Sequence, residues 1–461
     1  MRNSATRVES LYVGRKKIHP REINGVFDRL RSLSVVVLLG IYYVTPWIPW
    51  QGRQAILFDL PARKFFIFGI TLWPQDFFYL SWLLIMAALL LFLATAVAGR
   101  LFCGYACPQT IWTRAFTWIE RFAEGTAARR KKLDKAVWNR EKVLRKVWLQ
   151  VLWILFAFWT GFTFLGYFTP IQSLGARLIT FDLGGWETFW IVFYSVATYG
   201  NSGFLREQVC KYMCPYARFQ SAMFDPDSLI VSYDTKRGEP RGGRQRGKSS
   251  AEFGLGDCTD CNLCVQVCPT GIDIRQGLQY ECIACASCVD ACDSIMDRMG
   301  YERGLIKYTT ENKLEGKKTQ FMRPRTIIYS TLLSILFGLF VYSIATRDPL
   351  HLDVIRDRNA LYRELPNDRI ENVYTLKVLN KSDVSHVMVF SVSGLPGIEI
   401  ETDPTEFMLA GGEVRSIAAR ISTVRMDLAA GGHDIILTAR AQDNEALRTE
   451  GEARFMAPLP R

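Results

Sequence analysis

The sequence predicts a multi-domain membrane protein: an α-helical bundle of five transmembrane spans, a cysteine-rich insert before the last span, and an all-β C-terminal sandwich. Three observations predict it. Five segments are apolar over the roughly 20 residues that a helix needs to cross a bilayer. Eight of the twelve cysteines fall between residues 258 and 292. After residue 345 the apolar residues alternate with polar ones, the period of a half-buried strand.

The spans are read at 32–50, 77–98, 148–168, 186–205 and 326–345. Trp47, Trp50, Trp82, Trp148 and Trp186 lie at or near their ends, where amphipathic rings favour the lipid–water interface. Asn201, Ser202 and Gly203 dilute the end of the fourth. A buried core helix would account for one such segment but not for five. Between the spans Lys and Arg alternate in number: 8 in 1–31, 3 in 51–76, 12 in 99–147, 1 in 169–185 and 18 in 206–325. That bias puts the N-terminus, 99–147 and 206–325 in the cytoplasm and the chain after 345 outside. The basic first 31 residues lead into a full span without a small-residue cleavage site, so no removable signal peptide is expected.

The domains expected are a cytoplasmic N-terminal segment (1–31), a four-span membrane domain (32–235), a flexible linker (236–256), the insert (257–325), the fifth span (326–345) and an outer domain (346–461). The formal charge of +11 needs no nucleic acid. Residues 346–461 hold 14 basic and 18 acidic groups, a net of −4, which leaves +15 for the rest to set against anionic lipid. The Arg/Gly/Ser-rich 236–256 stretch has no interleaved aromatic except Phe253 and reads as a solvated linker. All twelve cysteines lie before residue 293, on the cytoplasmic side or its membrane boundary, where thiols stay reduced and serve as metal ligands.

Cys258-x2-Cys261-x2-Cys264-x3-Cys268-Pro269 and Cys282-x2-Cys285-x2-Cys288-x3-Cys292 repeat the thiolate spacing that folds around a pair of [4Fe–4S] clusters. Structural zinc needs only four ligands, commonly two distant pairs, and explains eight in two matching runs poorly. In such folds the fourth cysteine of each run crosses to the other cluster. Cys258, Cys261, Cys264 and Cys292 are therefore expected on one, and Cys282, Cys285, Cys288 and Cys268 on the other. Cys292 precedes Asp293 where Cys268 precedes proline, a local difference that removes no ligand.

A second pattern, C-x-Y-x-C-P, occurs twice: Cys103-Gly-Tyr-Ala-Cys107-Pro108 and Cys210-Lys-Tyr-Met-Cys214-Pro215. Each follows an even-numbered span and precedes a run with one aromatic side, an internal repeat. A residue before proline is pushed out of helical geometry, so Cys107 and Cys214 are expected at breaks, with Pro108 and Pro215 opening new helices. Three readings of the four thiols stand: soft copper(I), which takes two or three thiolates; zinc or a third cluster; or unligated buried cysteine.

The spans contain no histidine, and Met86 is the one methionine well inside them, which argues against a haem path across the bilayer. None carries a mid-bilayer charge, which argues against an ion-coupled transporter. No G-x-G-x-x-G follows a strand, so the electron donor is expected to be a separate cytoplasmic molecule. His19, His351, His386 and His433 read as ordinary surface, strand or turn residues. In the outer domain Tyr374, Leu376 and Val378, then Ile398 and Ile400, then Ile435, Leu437 and Ala439 mark strands. Gly411-Gly412 and Gly431-Gly432 mark turns. About seven short strands suit an immunoglobulin-like sandwich without its disulfide, a binding or docking module.

On CVQVCPTGIDIR (264–275), YECIACASCVDACD (280–293), the CGYACP and CKYMCP boxes and the order of elements, the chain resembles the FixG/RdxA/CcoG family of membrane accessory proteins for cbb(3)-type cytochrome c oxidase. The resemblance implies a ferredoxin-like 2[4Fe–4S] insert and reduction of copper(II) to copper(I). It makes the eight insert cysteines an electron store and Cys103, Cys107, Cys210 and Cys214 the copper-handling thiols. It also implies copper chaperones or oxidase subunits as partners, beside the lipid bilayer, with no nucleic acid. Two other functions fit the same residues: an electron-transfer subunit of a quinol dehydrogenase, and a non-enzymatic assembly scaffold.

Overall fold

The computed structural model describes residues 17–221, 223–245, 253–358, 360–366, 368–382, 384–424 and 431–458. The chain forms two compact units, one up to Phe337 and one from Gly338 onward.

Among the described residues four helical stretches of the chain are long and apolar enough to cross a membrane: Val26–Trp47, Pro74–Ala98, Arg140–Leu165 and Pro324–Ala345. The α-helix Phe77–Ala98 has the predicted bounds, because Pro74 and Asp76 start it and Gly99, at φ +51°, ends it. The first begins earlier than predicted, at Val26, and Pro49–Trp50 leave it to pair with Arg53–Gln54. The 186–205 segment differs from the other four. It is an α-helix only over Gly185–Thr198 and then widens into a π-helical turn over Tyr199–Leu205. Gly200, Asn201, Ser202 and Gly203 have weak helix propensity, and the turn opens there. The α-helical part packs closely on Arg140–Leu165. A Cβ on Gly161 would stand 2.5 Å from both the Ile191 carbonyl oxygen and the Ser195 hydroxyl.

After the second long helix the chain forms Leu101–Tyr105 and then the amphipathic helix Pro108–Glu124, whose buried side holds Ile111, Ala115 and Phe116. The insert is tied together by an antiparallel pair, Ile230–Tyr233 with Ile306–Thr309, and by the helix Ser287–Met299. Its core gathers Val231, Ile274, Val289, Met296, Leu305 and Ile306. The middle of the predicted linker, 246–252, lies outside the described residues. Its flanks are bonded across: Gly256 N–H donates to Pro240 O at 2.8 Å and Asp257 N–H to Arg237 O at 2.9 Å.

The second unit is a sandwich. One sheet runs Glu399–Thr402, Val414–Val424, Arg369–Asn380, Leu350–Arg356, with Arg363–Leu365 also on Arg369–Asn380. The other runs Glu406–Leu409, His386–Ser393, Gly431–Ala441, Arg448–Ala457. Among the described residues nine strands thus replace the roughly seven expected. Tyr374, Leu376 and Val378 meet Ile435, Leu437 and Ala439 between the sheets, all fully buried, each large apolar side chain contributing about 1.5–3 kcal/mol. Gly411-Gly412 form the predicted turn, but Gly431-Gly432 do not. They lie in a strand opposite Ala457 and Met456, because the long partner strand extends the ladder over them.

Candidate metal centres

The insert cysteines surround two small voids. Cys258, Cys261, Cys264 and Cys292 line one, with Tyr233, Leu305 and Ile306. Cys268, Cys282, Cys285 and Cys288 line the other, together with Cys264, Val231 and Ile274. The backbone repeats as the spelling does. Asp260 (φ +52°) and Asn262 (φ +56°) in the first run match Ala284 (φ +49°) and Ala286 (φ +56°) in the second. Left-handed geometry costs a non-glycine residue roughly 1–2 kcal/mol, so four matched instances call for an offsetting partner. Alternating right- and left-handed residues turn successive N–H groups into a concave anion-binding nest, as at Fe–S sites. Ala284 N–H already donates to Cys282 Sγ at 3.4 Å. Arg275 braces the first turn through Asp260 Oδ1 and Asn262 Oδ1, both at 2.6 Å, and Asp273 Oδ2 at 2.7 Å.

Burial pushes three of these thiols up: Cys264 to about 11, and Cys282 and Cys292 to about 12. Metal-free, they stay protonated at neutral pH, and loading must release those protons. Among the described residues no three His, Cys, Asp or Glu side chains converge closely enough for a single metal ion. The donor set, the nests and the spacing of the thiols fit [4Fe–4S] groups better than zinc.

The other four thiols come from two boxes that the fold brings together. Cys103 lies on Leu101–Tyr105, whereas Cys210 lies in a π-helical turn, Val209–Met213. Cys107 and Cys214 are both extended (ψ 128° and 111°), and Pro108 and Pro215 open the following helices as expected. Burial first, then the neighbouring Cys107, Cys210 and Cys214, push the Cys103 thiol up to about 12. Burial and the Cys107 and Cys214 sulfurs push Cys210 up to about 11. The Cys103 S–H donates to Oε1 of fully buried Gln220 at 3.4 Å.

Sequence reasoning missed the residues that join the boxes to the insert. Gly104 lies against the 283–284 backbone. A Cβ there would stand 2.8 Å from Ile283 O and 3.0 Å from Ala284 O, between Cys282 and Cys285. Arg100, 4% exposed, donates to the carbonyls of Tyr280, Cys282 and Ala217. Burial lowers its pKa, while Cys103, Cys282 and Cys210 favour its charge. Asp290, between Cys288 and Cys292, accepts from Phe27 N at 3.2 Å and Asp28 N at 2.8 Å, capping the first helix from afar. A glycine and an arginine inside the first box region were the only local signals. The histidines stay outside both sites: His19 pairs with Asp134 at 3.0 Å, His351 with Asp353 at 3.1 Å and His386 with Asp443 at 2.8 Å.

Comparison with known proteins agrees with this layout. The family model of a 4Fe-4S dicluster domain matches residues 205–311, that of a 4Fe-4S binding domain 79–133, and that of the IG-like fold at the C-terminal of FixG 340–458. The chain is an iron–sulfur electron-transfer protein with membrane-spanning helices. The nitrogen fixation protein FixG of Rhizobium meliloti is 39% identical over 432 residues, covering 85% of this chain and 82% of that one. Protein RdxA of Cereibacter sphaeroides is 38% identical over 438 residues, covering 92% and 91%. The crystal structure of a FixG-related protein from Vibrio parahaemolyticus is 29% identical and covers 24% of this chain and 99% of its own, with a TM-score of 0.22. The chain belongs to the FixG/RdxA family.

Proposed function

We propose that the protein is a cupric reductase of the bacterial cytoplasmic membrane that supplies copper(I) for assembly of cbb(3)-type cytochrome c oxidase. In this reading Cys258, Cys261, Cys264 and Cys292 hold one [4Fe–4S] cluster, and Cys268, Cys282, Cys285 and Cys288 hold the second. Bound there, the clusters supply one-electron storage. Five crossings, with 186–205 as the fourth, leave the insert and boxes cytoplasmic and the sandwich outside. There the sandwich docks oxidase subunits or copper chaperones.

Copper(II) is the substrate. It takes one electron, delivered by a separate cytoplasmic donor, and leaves as copper(I). Cys103, Cys107, Cys210 and Cys214 receive it, and their soft sulfur favours the copper(I) product. Two of the four suffice for copper(I), so the absence of a closely converged set of three does not conflict with this role.

The observation that carries the reading is the junction at Gly104 and Arg100. The box lies directly on the Cys282–Cys285 loop, and a buried cation lies beside thiols of both sets. Replacing Cys103 and Cys107 by serine is expected to leave iron and sulfide content intact and to abolish copper(I) formation, read with a copper(I)-specific chelator under anaerobic conditions. Copper reduction retained in that variant would remove those thiols from the mechanism.

A further inference from the structure

A cavity of about 300 Å³ lies inside the first unit, beside the loops of the second cysteine void and beside Cys210. Thr270, Ile283 and Ser287 line it from the insert, and Arg114 and Arg121 from the amphipathic helix. Its charged lining is six arginines against three acids, Glu22, Asp28 and Glu207. Two of the acids are already matched: Asp28 pairs with Arg114 at 2.6 Å and Glu22 with Arg130 at 3.2 Å.

Arg31 is the buried exception, since Arg21 and Arg121, likewise without an ion pair among the described residues, are exposed. It is 7% exposed, and among the described residues no carboxylate pairs with it. Among the described residues its one side-chain hydrogen bond runs from Nη1 to Ser287 Oγ at 3.0 Å, and its buried Nε finds no partner. A buried guanidinium with no carboxylate partner is costly, and proteins pair such groups or supply a ligand. The neighbouring guanidinium reinforces the point: burial and Arg31 hold Arg114 below its usual range.

We propose that this cavity is a binding site for a small anionic group, a carboxylate or phosphate, held by Arg31 and Arg114. The planar, multi-donor guanidinium suits such oxyanions. A cavity near 300 Å³ is at the small end of ligand pockets. The anion has two possible sources, a soluble molecule or the head group of an anionic lipid, because the amphipathic helix also exposes Trp118 and Phe122. Of the four box thiols, Cys210 lines this cavity. Through Ser287, which lies 3.6 Å from Cys285 Sγ, it places an anion within reach of the second cysteine set.

The test uses the full chain, purified anaerobically with its iron in zwitterionic detergent. Calorimetric titration with citrate forms the soluble arm, and titration with short-chain phosphatidylglycerol forms the lipid arm. Saturable binding in either arm, with Kd below roughly 1 mM, is expected. Arg31→Gln should weaken it by about tenfold or more, and Arg31→Lys by less. Saturation in neither arm overturns the proposal, as does unchanged affinity in Arg31→Gln. Should Arg31→Gln not fold, Arg114→Gln is read the same way, and wild-type affinity unaltered by high salt would equally overturn it.

Discussion

In the insert, the turns after Cys258 and Cys282 repeat a backbone as well as a spelling: Asp260 and Asn262 take the same left-handed geometry as Ala284 and Ala286. In the C-x-Y-x-C-P boxes the backbone repeats only at the second cysteine, where Cys107 and Cys214 are both extended before their prolines. Cys103 lies on a short α-helix and Cys210 in a π-helical turn. The second residue of each box explains much of the difference. Gly104 lets the first box lie on the Ile283–Ala284 backbone, where no side chain fits. Lys211, at the matching place in the second box, sits half-buried. Local repetition therefore builds two equivalent pockets in the insert, whereas in the boxes the neighbours make each copy different.

That contrast can be broken most sharply by serine substitutions. Cys285→Ser is expected to remove about half of the iron and acid-labile sulfide. Cys210→Ser should leave both at the wild-type level, as measured on anaerobic preparations. Equal iron loss in the two variants would merge the sets into one function.

The anchoring of the second box gives the next largest effect. Glu120, fully buried, accepts from Arg206 at 2.7 Å and from Arg130 at 2.7 Å. Arg206 closes the π-turn ahead of Cys210. Burial alone would raise the Glu120 pKa, but Arg206 and then Arg130 hold it below the ordinary 4.5. The carboxylate therefore contributes stability that is complete above about pH 4.5 and is lost as the pH falls through its lower folded value. Glu120→Gln should cost about 3 kcal/mol near neutral pH and flatten the acid limb of the unfolding profile. An unchanged acid limb would remove Glu120 from that role.

Smaller still is the asymmetry between the second residues of the boxes. Gly104→Ala must displace the Ile283–Ala284 backbone and should cost roughly 1–3 kcal/mol by denaturant unfolding. Lys211→Ala should stay within about 0.5 kcal/mol. Similar values for the two would mean that the first box is not seated on the insert.

Much of this was legible in the chain. The eight cysteines that the spacing singled out line the two voids, Cys264 both of them, and the prolines after Cys107 and Cys214 located both helix starts. Phe77–Ala98 was readable because Gly99 and Pro74 bound it. Legibility failed where the deciding partner is distant. The 186–205 segment is apolar enough to resemble a plain span, yet its last turn widens where Gly200–Gly203 weaken the helix. Gly431-Gly432 look like a turn until the partner strand, ending at Ala457, extends the ladder over them. Asp290 caps a helix more than 260 residues away, and no window contains both.

Cysteine spacing, proline positions and hydrophobic period act over a few residues, and these the sequence determined unaided: two matched thiol sets, two broken boxes, apolar helices and a β-sandwich. Which box touches the insert, where the buried charge of Arg100 lies, and that Arg31 meets no carboxylate among the described residues were decided only in the tertiary structure. The reason is physical: close packing and desolvation depend on what surrounds a group in space, and those neighbours come from segments that are remote along the chain.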